Sequence, residues 1–294
     1  MVGFSVRTQE TLALFPQICN TPTMHLSPLR YPGGKSTLSY RITGVLLRSH
    51  LLGGTFVEPF AGGAGVALAL LYQEKVSKIV LNDLDFRVFA FWDAAVNHTE
   101  DFIAQIRRTP IDMKERERQK WVFESPEEYS AFFVGFATFY LNRTNRSGIL
   151  GGGAIGGIEQ GGDYDIGSRF NKPELIKRIE TLGRYRDRIS VFNMDGVDFL
   201  QKHIVPTSGN TLTYLDPPYF NKGQSLYSNY FTLPDHERLA AFLKAFKHPW
   251  VLSYDDTPEI NALYSASSSH RLTLQYSAHS SKEGAEVLYF GQTE

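Results

Sequence analysis

Five short apolar runs, each closing on a turn or a polar residue, constrain the fold of this chain more than any other feature. They are Thr55-Phe56-Val57, Lys78 to Leu81, Ile189 to Phe192, Leu212 to Leu215 and Trp250 to Tyr254. Between several of them lie segments with helical periodicity: Ser36 to about His50, Val66 to Glu74, and Pro173 to Arg188. Consecutive βα units of this kind predict a mostly parallel sheet with helices on both faces. Two further β-like runs, Arg271 to Tyr276 and Glu286 to Phe290, are close enough in sequence to pair antiparallel. The expected architecture is therefore α/β and Rossmann-like, with an antiparallel strand at its C-terminal end.

The rhythm breaks between residues 84 and 189, which reads as an insertion into a catalytic domain made of 28–83 and 190–294. Residues 1–27 read as an N-terminal extension. Within the insertion, Ser125-Pro126-Glu127-Glu128 carries the signature of a helix start, and the helix is expected to continue to about Leu141. Seven glycines between Gly151 and Gly162 then argue for a loop that stays mobile or orders on binding.

Composition sets outer bounds. The 294 residues carry 30 basic and 31 acidic side chains, so net charge does not advertise a nucleic-acid partner. The stretch from Arg143 to Arg188 is mildly basic, with nine basic residues against six acidic ones. The 13 % aromatic content, with 21 Phe and 15 Tyr, is first of all the mark of a Phe-rich core. Cys19 is the single cysteine, which excludes an internal disulfide, and the eight histidines lack ligand spacing, so no metal site is expected. No apolar stretch is long enough for a bilayer span and no N-terminal signal stands out, so a soluble, cytoplasmic protein is expected.

Chemistry concentrates at the strand ends. Asp216-Pro217-Pro218-Tyr219 follows the apolar run Thr211 to Leu215. The prolines fix φ and bias the preceding residues to extended geometry, so the Asp216 carboxylate and the Pro217 carbonyl are acceptors held in place beforehand. With Tyr219 as a stacking face, the tetrad suits a flat ring bearing an exocyclic amine; a merely rigid strand exit is the plainer alternative. Gly62-Gly63-Ala64-Gly65 lies between a strand and a helix, where small residues let backbone N–H groups approach a ligand. Asp83 follows the next strand, 21 residues after Gly62, where an acid suits a ribose diol. A tight strand–helix turn is the alternative there. Gly33-Gly34-Lys35-Ser36-Thr37 mimics a P-loop, but Leu29 stands where its first glycine belongs, so a Walker-type ATP site is not expected.

Four motifs in order, Tyr31-Pro32-Gly33-Gly34-Lys35, Glu58 to Gly65, Asn82-Asp83 and Asp216 to Tyr219, resemble those of the D12-class (Dam-like, α-group) DNA adenine-N6 methyltransferases. The likeness covers most of residues 27–255. It implies S-adenosylmethionine as methyl donor, with Tyr31 and Lys35 lining the cofactor and active-site pocket. Phe60, Gly62 and Gly65 would surround the methionine part, Asp83 would stand at its sugar end, and Asp195 would contact its adenine. Members of the family usually have an aromatic residue after that last acid, where this chain has Gly196 and, later, Phe199.

Asp216, Pro217, Pro218 and Tyr219 would hold the target amine of an adenine flipped out of a DNA duplex, with Tyr227 and Tyr230 able to close over it. Asn142 to Gly148 resembles the Asn-Arg segment that opens the family's DNA-recognition region, so Arg143, Asn145 and Arg146 are expected to face DNA. Cytosine-N4 methylation and a non-catalytic DNA-binding relative are the rival readings. A partner restriction endonuclease and a monomer or weak dimer are compatible with the resemblance.

Overall fold

A computed structural model describes residues 26–30, 38–220, 230–278 and 280–293. Its strands are β1 Thr55–Glu58, β2 Lys78–Asn82, β3 Ile189–Phe192, β4 Thr211–Leu215, β5 Trp250–Asp255, β6 Ser268–Ala278 and β7 Ser280–Gly291. They form one sheet in the order β3-β2-β1-β4-β5-β7-β6. The first five pair in parallel, because a crossover separates each from the next. β7 runs antiparallel to both β5 and β6, with Leu272 opposite Glu286. The Rossmann-like, mostly parallel sheet with an antiparallel C-terminal end is thus the observed architecture.

The helices are α1 Ser39–Arg48, α2 Gly65–Tyr72, α3 Phe86–Asn97, α4 Thr99–Arg108, α5 Met113–Glu124, α6 Ala131–Thr144 and α7 Lys172–Arg184. After β3 come the short α8 Gly196–Phe199, prolonged by a π-turn, then α9 Leu233–Ala245 and α10 Pro258–Leu263. Several starts are fixed by side-chain caps. Asp85 accepts from the Arg87 N–H at 2.9 Å to open α3, and Thr232 with Asp235 closes a capping box at α9. Among the described residues no helix is long and apolar enough to cross a membrane.

Strand periodicity sorts the core into two layers. Phe56, Ile79, Leu81, Leu212 and Val251 face one side, beneath α1, α2, α3 and α7. Val57, Val80, Leu215, Leu252 and Tyr254 face the other, beneath α8, α9 and α10. The first layer continues without a break into the 84–189 region. There Phe91 stacks on Phe139 at 6.0 Å, and Phe102 meets Phe139 edge-on at 5.4 Å. Much of the high aromatic content is spent on this packing.

One sequence expectation is corrected. Ser125 to Glu128 does not open a long helix: Ser125 caps the end of α5, Pro126–Glu128 make one 3₁₀ turn, and extended Tyr129 separates them from α6. The glycine tract is a run of turns held by hydrogen bonds. Arg146 N–H donates to Gly153 O at 2.9 Å, Arg116 Nη2 donates to Gly152 O at 3.0 Å, and Gln160 Nε2 donates to Ile155 O at 2.7 Å. Side chains from outside and inside the tract supply the order its glycines lack.

Candidate active site

The sheet order reverses between β1 and β4, and loops leaving the C-terminal ends of strands at such a switch point form the natural ligand crevice of an open α/β sheet. β1 ends on Glu58, β2 on Asn82, and β4 delivers Asp216 directly from Leu215.

The β1–α2 loop is built for close approach. Gly62 has φ 44° and Ala64 φ 47°, so the chain turns left-handed twice before α2 starts. Asp83 fixes the loop from the neighbouring strand, accepting from Gly62 N–H at 2.9 Å through one oxygen and from Asp85 N–H at 2.9 Å through the other. Burial pushes the Asp83 carboxyl up to about 6, against the pull of these two backbone bonds. Trp92 Nε1 donates to Gly62 O at 2.9 Å from behind. Fully buried Asn82 binds three loops together: its amide donates to Pro59 O at 2.9 Å and Met194 O at 3.0 Å, and its oxygen accepts from Met194 N–H.

Asp195 caps α8, its Oδ1 accepting from Val197 and Asp198 N–H, and pairs with Arg238 Nη1 at 3.1 Å. Gly196 is explained by its neighbour. A Cβ there would lie 2.6 Å from the Phe60 ring, so Phe60, leaning in from the β1 loop, fills the space beside this acid. Phe60 also meets Phe231 edge-on at 5.7 Å. The structure therefore brings Phe60, Gly62, Asp83 and Asp195 to one side of the crevice.

On the other side, Asp216 accepts from Ser253 Oγ at 3.0 Å, and Phe220 N–H donates to Asp255 Oδ1 at 3.1 Å. The Tyr219 hydroxyl donates to Glu286 Oε1, and its burial beside Asp216 and Glu286 raises its pKa well above the usual phenol range. Glu58 bridges the two sides. It is buried, accepts from Ala67 N–H at 2.9 Å, and is pushed up to about 8 by burial, with the charge of Asp216 adding to the push. Sequence reasoning assigned no role to Glu58, Asn82, Ser253 or Glu286. A polar residue closing or interrupting an apolar strand is the one signal that marks them.

The model of the D12 class N6 adenine-specific DNA methyltransferase family matches residues 31–278 of this chain. The chain belongs to that family. Among curated proteins it is similar to the type II methyltransferase M.MjaIII of Methanocaldococcus jannaschii, 20 % identical over 247 residues, 75 % of this chain and 80 % of that one. It is also similar to the type II methyltransferase M.CviBI of Paramecium bursaria Chlorella virus NC1A, 24 % identical over 254 residues, 79 % of this chain and 86 % of the other. The solved structure of PH1948 from Pyrococcus horikoshii aligns over 90 % of this chain and 87 % of its own, at 10 % identity and a TM-score of 0.43.

In this adenine-specific DNA methyltransferase, the residues expected to face DNA separate into two kinds. Arg143 is 7 % exposed and donates from Nε to Pro28 O at 2.7 Å and from Nη2 to the same oxygen. Burial, with Arg178 and Arg30 nearby, lowers its pKa to about 9. Asn145 is 1 % exposed; it accepts from Arg116 Nη2 at 2.9 Å and donates to Ile149 O and Leu150 O. Both side chains are buried and bonded to carbonyls within the protein. Arg146 is exposed, with Nε donating to Ala154 O at 3.2 Å. Asn142 accepts from Arg30 N–H and donates to Arg30 O, each at 2.7 Å, so the Asn142-Arg143 pair clamps the chain just before residue 31. Tyr31, Lys35 and Tyr227 lie outside the described residues, and Tyr230 is half-exposed.

Proposed function

We propose that this enzyme transfers a methyl group from S-adenosylmethionine to N6 of an adenine flipped out of duplex DNA, at Asp216 to Tyr219. The observation that carries the reading is the placement of Asp216 at the end of β4, next to the β1 loop and across the switch point from it. The residues around that loop suit the cofactor. The acids in the loops after β2 and β3, Asp83 and Asp195, match a molecule bearing a ribose diol and an adenine amine. Phe60, Gly62 and Gly65 would lie along its methionine part, Asp83 at its sugar and Asp195 at its adenine. When bound, the cofactor supplies an electrophilic methyl group on a sulfonium.

The chain's own contribution is positioning and charge. Adenine N6 is a poor nucleophile because its lone pair is delocalised into the ring. Asp216 and the Pro217 carbonyl would accept its two hydrogens and favour a pyramidal nitrogen, an interaction stronger in the transition state than in the ground state. Tyr219 would stack on the extruded base, since no base within a duplex can reach such a pocket. Arg146 would contact the DNA backbone. Asp216→Ala is expected to abolish radiolabelled methyl transfer to unmethylated DNA while cofactor binding persists; retained turnover would sink this assignment.

A further inference from the structure

Three successive parts of the Asp216–Phe220 segment are held by side chains of one antiparallel strand pair. Ser253 and Asp255 lie on the same face of β5, and Glu286 on β7 stands opposite Asp255 in the register. Ser253 reaches Asp216, Asp255 accepts from the Phe220 backbone, and Glu286 accepts from the Tyr219 hydroxyl. Two of these bonds restrict torsions that are otherwise loose. The χ2 angles of Asp and Tyr have broad, roughly two-fold preferences, so neither a carboxylate plane nor a ring tilt is set by its own rotamer.

The Ser253 bond has a definite polarity. Its Oγ is fully buried, 3.0 Å from Asp216 Oδ1 and 3.0 Å from the Tyr214 hydroxyl. A serine hydroxyl has one proton, and a carboxylate is the stronger acceptor. Tyr214, kept neutral by burial, then donates to Ser253, which donates to Asp216. The chain Tyr214–Ser253–Asp216 engages Oδ1 and so restricts rotation of the carboxylate plane.

We propose that Ser253 and Glu286 are positioning residues for methyl transfer, the first setting the carboxylate plane of Asp216 and the second the tilt of the Tyr219 ring. The inference rests on the reading that Asp216 and Tyr219 handle the target base. Its test is single-turnover transfer of labelled methyl from S-adenosylmethionine to unmethylated, amplified genomic DNA, with cofactor affinity measured separately by equilibrium dialysis.

Ser253→Ala should slow the single-turnover rate by about 10- to 100-fold, as small misplacements of reacting groups do, with cofactor and DNA affinities essentially retained. Tyr214→Phe should cause a smaller loss in the same direction, and the double variant should lose no more than Ser253→Ala alone. Glu286→Gln, whose amide oxygen still accepts from the phenol, should keep most of the rate that Glu286→Ala loses. If Ser253→Ala melts below the assay temperature, Tyr214→Phe decides the matter. A Ser253→Ala rate equal to wild type, or a loss confined to cofactor or DNA affinity, overturns the positioning role while the functional reading stands. No transfer by the wild-type enzyme would instead bring down the functional reading, and the positioning role with it.

Discussion

Glu58 carries the most consequential single-residue property in the molecule: a carboxyl group at the end of a central strand, 4 % exposed and raised to about 8. An ordinary glutamate loses its proton near 4.5, so between about 4.5 and 8 the folded chain holds a proton that the unfolded chain releases. Stability should therefore fall as pH rises through that window and level off above it. Asp83, raised from 3.8 to about 6, adds a slope of the same sign over a lower and narrower range. Glu58→Gln keeps an acceptor for Ala67 N–H but removes the titration. We expect urea-unfolding free energies of the variant to be flatter between pH 5 and 8, by on the order of 1–3 kcal/mol across the window. An unchanged slope would mean that Glu58 is not the titrating group. The sequence displays this glutamate in its motif but not its burial, which arises from α2 and β4 closing over it.

Among the elements, the strands and α7 were legible, whereas α3, α4 and α5 were not. Strands β1, β2, β4 and β5 are short apolar runs buried along nearly their whole length, the local pattern of parallel strands covered on both faces. Helix α3 buries Val88, Ala90, Phe91, Trp92, Ala94, Ala95 and Val96, nearly all around its axis, so it offers no amphipathic stripe to read. The segment from Asn142 to Gly148, the end of α6 and the 3₁₀ turn after it, was legible as a motif, yet its side chains point in ways only the tertiary fold decides. Arg143 reaches back to Pro28, whereas Arg146 stays exposed. The two arginines should therefore fail differently. Arg143→Ala leaves a carbonyl without its guanidinium partner and should cost about 1–3 kcal/mol of stability in chemical denaturation. Arg146→Ala should change stability by less than about 0.5 kcal/mol, weaken DNA binding for all sequences alike, and reduce the salt slope of binding by about one. Equal stability losses in the two variants, or an unchanged salt slope for Arg146→Ala, would contradict this division.

For the whole molecule, the sheet topology decides which distant residues become neighbours. Three of the motifs, at Glu58 to Gly65, Asn82-Asp83 and Asp216 to Tyr219, lie at or directly after the ends of β1, β2 and β4. They could not foretell Ser253 and Glu286, which sit within strands read only as apolar runs and gain meaning from the β5–β7 register. The same topology makes cofactor binding a test of the entire crevice, because its proposed partners come from the loops after β1, β2 and β3 and are already tied together through Asn82. A ligand that binds only this folded arrangement stabilises it by about 2.7 kcal/mol at a hundredfold excess over its dissociation constant. For a chain of this size that is a rise in melting temperature of roughly 4–5 °C. We expect S-adenosylmethionine to produce such a shift in the wild-type enzyme and in Asp216→Ala. In Asp83→Ala, where the Gly62 loop loses its acceptor and the proposed sugar its partner, the shift should be largely lost. A full shift retained in Asp83→Ala would place the cofactor away from the β1–β2 crevice, and a shift absent from Asp216→Ala would show that the two sides of the switch point do not divide binding from chemistry.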